Sequence, residues 1–210
     1  MNSGESQDRI KIKFKDDSVS WERLTELLHA AYKTNADNGM NFAAASQTVE
    51  QTIKRVGDGR ILLAFDGLKL VGTITCKIKK DGNSWYKKGI NGYIYQFAVL
   101  PEYRKNGIGD MLLQGAYEYF EKNNAKGIIL DTAEKAERLI NYYKRQGFIP
   151  VDYTHWSGTN YNSVILRKSL GIEHDDKYCE KMFGKAKRRL VIKQSLRGLK
   201  IKLKGLFRKK

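Results

Sequence analysis

The stretch that most constrains this chain runs from Gly92 to Gly109, Gly-Tyr-Ile-Tyr-Gln-Phe-Ala-Val-Leu-Pro-Glu-Tyr-Arg-Lys-Asn-Gly-Ile-Gly. Tyr93, Tyr95, Phe97 and Val99 alternate with Ile94, Gln96 and Ala98. Aromatic and β-branched residues at period two predict a largely buried strand. Pro101 has no N–H to give a ladder and ends it. Arg104-Lys-Asn-Gly107-Ile-Gly109 follows, and from Ile108 the apolar spacing turns helical. A basic, glycine-bearing loop that enters a helix directly after a strand can bind a phosphate. Glycine lets the backbone approach an anion, and the first helical N–H groups have no partner inside the helix. The helix dipole adds roughly half a positive charge at that end. The spacing is not the Gly-x-Gly-x-x-Gly of a dinucleotide site.

Arg104-x-x-Gly107-x-Gly109 after such a strand resembles the pyrophosphate-binding loop of GNAT-type acyl-CoA N-acyltransferases. Tyr143-Lys-Arg-Gln-Gly147-Phe148 resembles the Tyr-x-x-x-Gly-Phe that closes the next helix in that family, and the resemblance covers about Ile10 to Lys168. It implies an α+β (α/β) fold: a central mixed, mostly antiparallel sheet with flanking helices and a splayed parallel strand pair, here Tyr93–Val99 and Gly127–Thr132. It also implies acyl transfer, by preference of acetyl, from acyl-CoA to an amine, with acetyl-CoA as co-substrate and no metal.

The resemblance carries roles with it. Backbone groups of Phe97, Ala98 and Val99 are expected to hold the pantetheine, one N–H polarising the thioester carbonyl. The amides of Arg104, Lys105, Asn106, Gly107, Ile108 and Gly109 are expected to take the pyrophosphate, with Arg104 or Lys105 supplying charge. Asp110 sits close to that anion and is read as pointing away. Tyr143 holds the position of the general acid, because a neutral phenol can protonate a departing thiolate at pH 7 without a pKa shift. Two positions depart from the family pattern. Gln96 stands where relatives often carry a carboxylate, and glutamine cannot take a proton, so Asp131, Glu134, His155 or a water chain remain as bases and none is assigned. Ala136 stands where many relatives carry Asn, so a CoA contact is either lost or taken over by Asn141.

Elsewhere the pattern is regular. Ile10, Ile12 and Phe14 read as a first strand. Ser20 caps a helix bearing Trp21, Leu24, Leu28, Ala31 and Tyr32, which Asn35 to Gly39 breaks. Thr48 and Gln51 form a capping box for a short helix with Val49, Ile53 and Val56 on one face, closed by Gly57. The span near Asn41 and Phe42 often shapes the acceptor pocket in GNAT relatives. Arg60–Phe65 and Lys69–Lys79 read as a hairpin through Asp66-Gly67, on which Cys76 is a packing residue rather than a nucleophile. Asp81 to Lys88 is a loop. The central helix ends at Asn123-Asn124, Gly127–Thr132 is a buried parallel strand, Glu134–Gln146 a helix ended by Gly147, and Ile149–Tyr153 pairs with Ser163–Arg167.

Charge divides the chain. Of its net +16, the segment from Lys177 to Lys210 holds fourteen Lys or Arg against Glu180 alone, +13, which leaves +3 for residues 1–176. We therefore divide the chain into a domain, residues 1–170, and a basic tail, residues 171–210. In the tail Ile192, Leu196, Leu199, Leu203 and Leu206 form one apolar row flanked by lysines and arginines. An anionic membrane surface uses both row and charge, so residues 186–210 are expected at such a surface, ahead of docking on the domain or in a homodimer. Nucleic acid needs only the charge and ranks last. Two distant cysteines and no signal or membrane-spanning run fit a cytoplasmic protein, with a peripheral place at the inner face of the membrane if the tail binds lipid. The amine acceptor is not named by any motif. The alternative function is a catalytically weak acyl-CoA-binding scaffold whose tail binds membrane, protein or nucleic acid.

Overall fold

The computed structural model describes residues 9–80, 89–170 and 180–192. Seven strands form one sheet in the order β1-β2-β3-β4-β5-β7-β6. They are β1 (Ile10–Phe14), β2 (Arg60–Asp66), β3 (Lys69–Lys79), β4 (Asn91–Val99), β5 (Gly127–Ala133), β6 (Ile149–Thr154) and β7 (Ser163–Ser169). Neighbours are antiparallel except β4 and β5, which run parallel. Helices α1 (Trp21–Asp37), α2 (Val49–Val56), α3 (Ile108–Lys122) and α4 (Glu137–Arg145) flank it, and a further helix, α5, covers 180–192. This is the mixed, mostly antiparallel sheet that the resemblance implies.

Local chemistry accounts for most boundaries. Ser20 Oγ accepts from the Arg23 amide at 3.3 Å and starts α1. The box before α2 is closed in both directions, Thr48 N to Gln51 Oε1 at 2.8 Å and Gln51 N to Thr48 Oγ1 at 3.2 Å. Packing then buries α3 through Ile108, Leu112, Leu113, Ala116 and Phe120. A Cβ on Gly92 would lie 2.5 Å from the Phe120 ring, so only glycine lets β4 and α3 meet. Cys76 is wholly buried in this core, and burial pushes its thiol up to about 12.

Four expectations need correction. Helix α1 continues through Asn35 to Asp37, where the Lys33–Asp37 pair at 3.0 Å supports its last turn. In α2 the inward face is Thr52 and Val56, while Ile53 is exposed; Thr52 is buried because Thr25 and Gln47 donate to its hydroxyl. Helix α4 starts at Glu137, because the Glu134 amide is drawn to Asn162 O and Ala133–Ala136 forms a turn instead. The fourth concerns β4, whose alternation breaks at Gln96. Thr75 faces Tyr95 and Thr73 faces Ala98, so Gln96 and Phe97 together oppose Ile74. Gln96 takes φ +48° to make this bulge. As a result Tyr95 reaches Val56 O of α2 at 2.8 Å, whereas Phe97 packs on Tyr142 and Tyr143 of α4.

The tail enters the structure only in part. On α5, Phe183 stacks on Tyr153 at 5.3 Å, Ala186 is buried and Arg189 pairs with Asp152 at 3.1 Å, which seats this helix on β6. Val191 and Ile192 are exposed, and the rest of the leucine row, with Cys179 and the 81–88 loop, lies outside the described residues. Among the described residues no helix is long and apolar enough to cross a membrane.

Candidate active site

Strands β4 and β5 are paired only at Gly92↔Ile128 and Tyr93↔Ile129. Beyond Tyr93 they part, and β4 carries the bulge at Gln96 within the unpaired stretch. The sheet therefore opens in its middle, where backbone groups of β4 lose one of their two neighbours.

The gap leads to the glycine loop. Leu100 and the turn Pro101–Tyr103 carry the chain to Arg104. Lys105 and Gly107 are both left-handed, φ +66° and +76°, and Gly107 is the N-cap of α3 with no side chain capping its amides. Left-handed residues set among right-handed ones turn successive N–H groups to one side, a concave seat for an anion. Arg104 is otherwise engaged. Its amide bonds Pro101 O at 3.2 Å, and its guanidinium donates to Val99 O at 3.2 Å and Ala31 O at 2.6 Å. It fixes the loop to β4 and α1, so that among the described residues Lys105 is the cation of the motif without an ion pair and the amides of Lys105 to Gly107 meet no backbone acceptor. Asp110 Oδ1 accepts from Tyr142 at 2.9 Å and Gln146 at 2.8 Å, which holds the acid toward α4. A Cβ on Gly109 would stand 3.1 Å from the Tyr142 hydroxyl and 3.5 Å from the Phe97 ring, so this glycine also serves close packing.

Tyr143 is placed by the end of its helix. The Phe148 amide bonds Tyr143 O and the Gly147 amide bonds Lys144 O, both at 3.0 Å, with Gly147 at φ +83°. This left-handed stop folds the Phe148 ring onto Tyr143 with centroids 5.8 Å apart, which is the physical reason for the Tyr-x-x-x-Gly-Phe spacing. Burial raises the Tyr143 phenol well above its usual value, so it stays protonated. It lines a cavity of about 360 Å³ in the gap.

The other walls of this cavity come from far apart in the chain: Tyr32, Phe42, Arg55, Tyr93, Tyr95, Gln96, Phe97, Asp131, Thr132, Trp156 and Tyr161 among them. Tyr32 donates to Phe97 O at 3.1 Å, and burial pushes its phenol up to about 12. Asp131 accepts from the Tyr93 hydroxyl and, at 2.9 Å, from Trp156 Nε1. A clasp joins two loops beside it: Asn160 N bonds Asn41 Oδ1, Asn41 Nδ2 bonds Gly158 O and Asn160 Nδ2 bonds Gly39 O, each at 2.8 Å.

Of the residues singled out in the sequence, Phe97 and Tyr143 meet in the cavity, while Ala98, Val99 and Arg104–Gly109 continue from it without lining it. The base candidates separate. Asp131 lines the cavity, Glu134 bonds Asn162 at 3.1 Å beside a different hollow, and His155 is exposed and off the wall. Sequence reasoning missed Arg55, Trp156 and Tyr161 and took Tyr32 for a core residue; no local pattern marks them. Of the span near Asn41 and Phe42 that the resemblance points to, Phe42 lines the cavity and Asn41 belongs to the clasp beside it. Among the described residues no three His, Cys, Asp or Glu come together as a metal site.

Comparison with known proteins agrees with this geometry. The acetyltransferase (GNAT) family profile matches residues 21–148. The S-(2-succino)cysteine N-acetyltransferase of Bacillus subtilis is 32% identical over 73% of this chain and 92% of its own length. N-alpha-acetyltransferase 30 of Schizosaccharomyces pombe is 29% identical over 41% of this chain and 55% of its own. A Pyrococcus horikoshii crystal structure aligns with TM-score 0.58 and 26% identity over 78% of this chain and 99% of that one. A GNAT acetyltransferase from Elizabethkingia anophelis, solved with acetyl-CoA bound, shares the fold with TM-score 0.58 at 16% identity over 78% and 99%. With its family profile spanning most of the domain and a relative matched almost end to end, this chain belongs to the GNAT family of acetyltransferases.

Proposed function

We propose that this protein transfers an acetyl group from acetyl-CoA to the amine of a small-molecule acceptor held in the cavity between β4 and β5. The observation that carries the reading is Tyr143, a phenol that burial keeps protonated at neutral pH, held at the wall of the gap near the uncapped loop at Lys105–Gly109. The loop fits a diphosphate because its amides are free, its Gly107 is left-handed and Lys105 adds a charge. The thioester supplies an acyl group already activated for attack. Free backbone groups of β4 beyond the bulge orient the pantetheine and offer an N–H to the carbonyl oxygen. Asp131 receives the acceptor's amine and takes the proton it sheds as the C–N bond forms. Tyr143 gives its proton to sulfur as the C–S bond breaks, and solvent returns one. The end-to-end match to a relative named for a modified cysteine supports a small acceptor. Release of free thiol from acetyl-CoA with a panel of amines tests this. Tyr143→Phe should lower turnover on the order of 10²-fold with CoA affinity unchanged. CoA binding without thiol release for any amine would favour the non-catalytic scaffold instead.

The tail supports a second activity of the same chain. Val191 and Ile192 are exposed on α5, and in the sequence the leucine row with its lysines continues beyond them. We propose that this segment docks on anionic membrane, each Lys or Arg near the surface adding roughly 1 kcal/mol. The full chain should sediment with anionic vesicles, and a chain ending at Ile192 should not. A full chain that stays in the supernatant with anionic vesicles at low salt would reject lipid as the partner.

A further inference from the structure

We propose that the acceptor carries a carboxylate as well as its amine, and that Arg55 and Gln96 hold this carboxylate while Asp131 holds the amine. The inference rests on the acetyl-transfer reading and names its substrate class: a free amino acid or a derivative of one.

Among the described residues Arg55 is the only basic side chain on the cavity wall, and it forms no ion pair with any of them. Burial raises the phenols of Tyr32, Tyr95 and Tyr161, and the charge of Arg55 opposes that rise at all three. Arg55, an exposed residue of the last turn of α2, lines the cavity together with Tyr32, Tyr95 and Tyr161. A fork of N–H donors without a carboxylate is matched by an acceptor-only group with several lone pairs.

A second, independent observation points the same way. Gln96 is 4% exposed, and Thr75 Oγ1 occupies its Oε1 at 3.3 Å, yet its Nε2 has no partner. The donor is buried, it lines the cavity, and the backbone holds it there at a φ of +48° that a glutamine rarely adopts. Buried N–H groups left unpaired are uncommon in folded proteins, and strained residues gather where a ligand is bound. Thr132 Oγ1, 2% exposed, is likewise unpartnered on the same wall. Asp131 has one donor on each oxygen, Tyr93 and Trp156, which leaves further lone pairs to accept from the N–H of a neutral amine.

A simple amine would satisfy Asp131 and leave Arg55 and Gln96 unfilled. A peptide N-terminus would bring a neutral amide where the guanidinium is. A molecule with both an amine and a carboxylate satisfies all three.

The test compares L-amino acids with aromatic, aliphatic and carboxylate side chains, each against its α-amide, on the full chain and on Arg55→Gln. Amides have more nucleophilic amines at neutral pH, so the readout is how the acid-to-amide ratio of kcat/KM changes between the two proteins. The ratio should fall about tenfold in Arg55→Gln, carried by KM, and Arg55→Lys should recover part of it. An arginine that serves only the C-terminal end of α2 would leave the ratio unchanged, and that result would overturn the proposal. Calorimetry with the same amino acids in the presence of CoA separates the two readings. Arg55-dependent binding without thiol release keeps the carboxylate site and rejects acetyl transfer. Thiol release that is indifferent to Arg55 does the reverse.

Discussion

On the side where the acyl donor is expected, the working parts come from two short stretches, 101–109 and 143–148. On the acceptor side, the walls come from α1, the 38–47 connection, α2, β5 and the 155–161 loop. The backbone of the first side is set by hydrogen bonds between residues a few positions apart: Arg104 N to Pro101 O, Gly147 N to Lys144 O, Phe148 N to Tyr143 O. The Arg104 and Asp110 side chains then tie it to α1 and α4. The second is built from contacts across the chain, such as Tyr32 on Phe97 O, Trp156 on Asp131 and Asn41 on Asn160. A donor common to a whole family can be held by a fixed local motif. An acceptor that differs between members is better served by residues that can change separately.

The strongest way to break this contrast is at the helix stop. Phe148 is 1% exposed against Tyr143, so Phe148→Ala should cost about 3–5 kcal/mol of stability, read from the urea midpoint at constant slope. If the cost is small, the motif is not what positions Tyr143. At the loop, Gly107→Val places a β-branched residue at φ +76° and should weaken CoA binding at least tenfold, about 1.4 kcal/mol, in calorimetry. Acceptor KM should stay within twofold if the two sides are independent. The converse test is Asn160→Ala, which removes the bonds to Gly39 O and from Asn41 N. Acceptor KM should rise about fivefold, near 1 kcal/mol, with CoA affinity unchanged. Movement of both constants would join the two sides into one unit.

The smallest effect belongs to Tyr32, which touches both. Its phenol is raised from about 10 to about 12, chiefly by burial. A raised folded value means that the unfolded chain loses its proton first. Stability is therefore unaffected by this group below pH 10 and declines as pH rises from 10 toward 12. Urea unfolding across that window should show a shallower decline for Tyr32→Phe than for the natural chain.

Much of this was legible from residues 92–109 and 143–148. Ser20, the Thr48–Gln51 box, the Asp66-Gly67 turn and Gly147 act on backbone groups within a few positions, so their effect can be read where they stand. Tyr143 and Gly107 could be singled out for the same reason. The bulge at Gln96 could not, because it depends on the register of β3 against β4, and shifting a ladder by one residue changes which face each side chain takes.

The acceptor cavity was decided by the fold alone. Tyr32 has the spacing of a core residue, Arg55 that of a basic last helical turn, and Trp156 that of a polar loop; each reading is correct locally. They become one wall because the sheet order brings α1, α2 and the β6–β7 loop to the same gap. The sequence by itself determined most of the elements, their N-terminal caps and the glycine loop before α3, since those rest on hydrogen bonds that span one turn. Only the tertiary structure decided that Asp131 faces the cavity and Glu134 does not, because burial and long-range pairing belong to the assembled sheet rather than to any stretch of it.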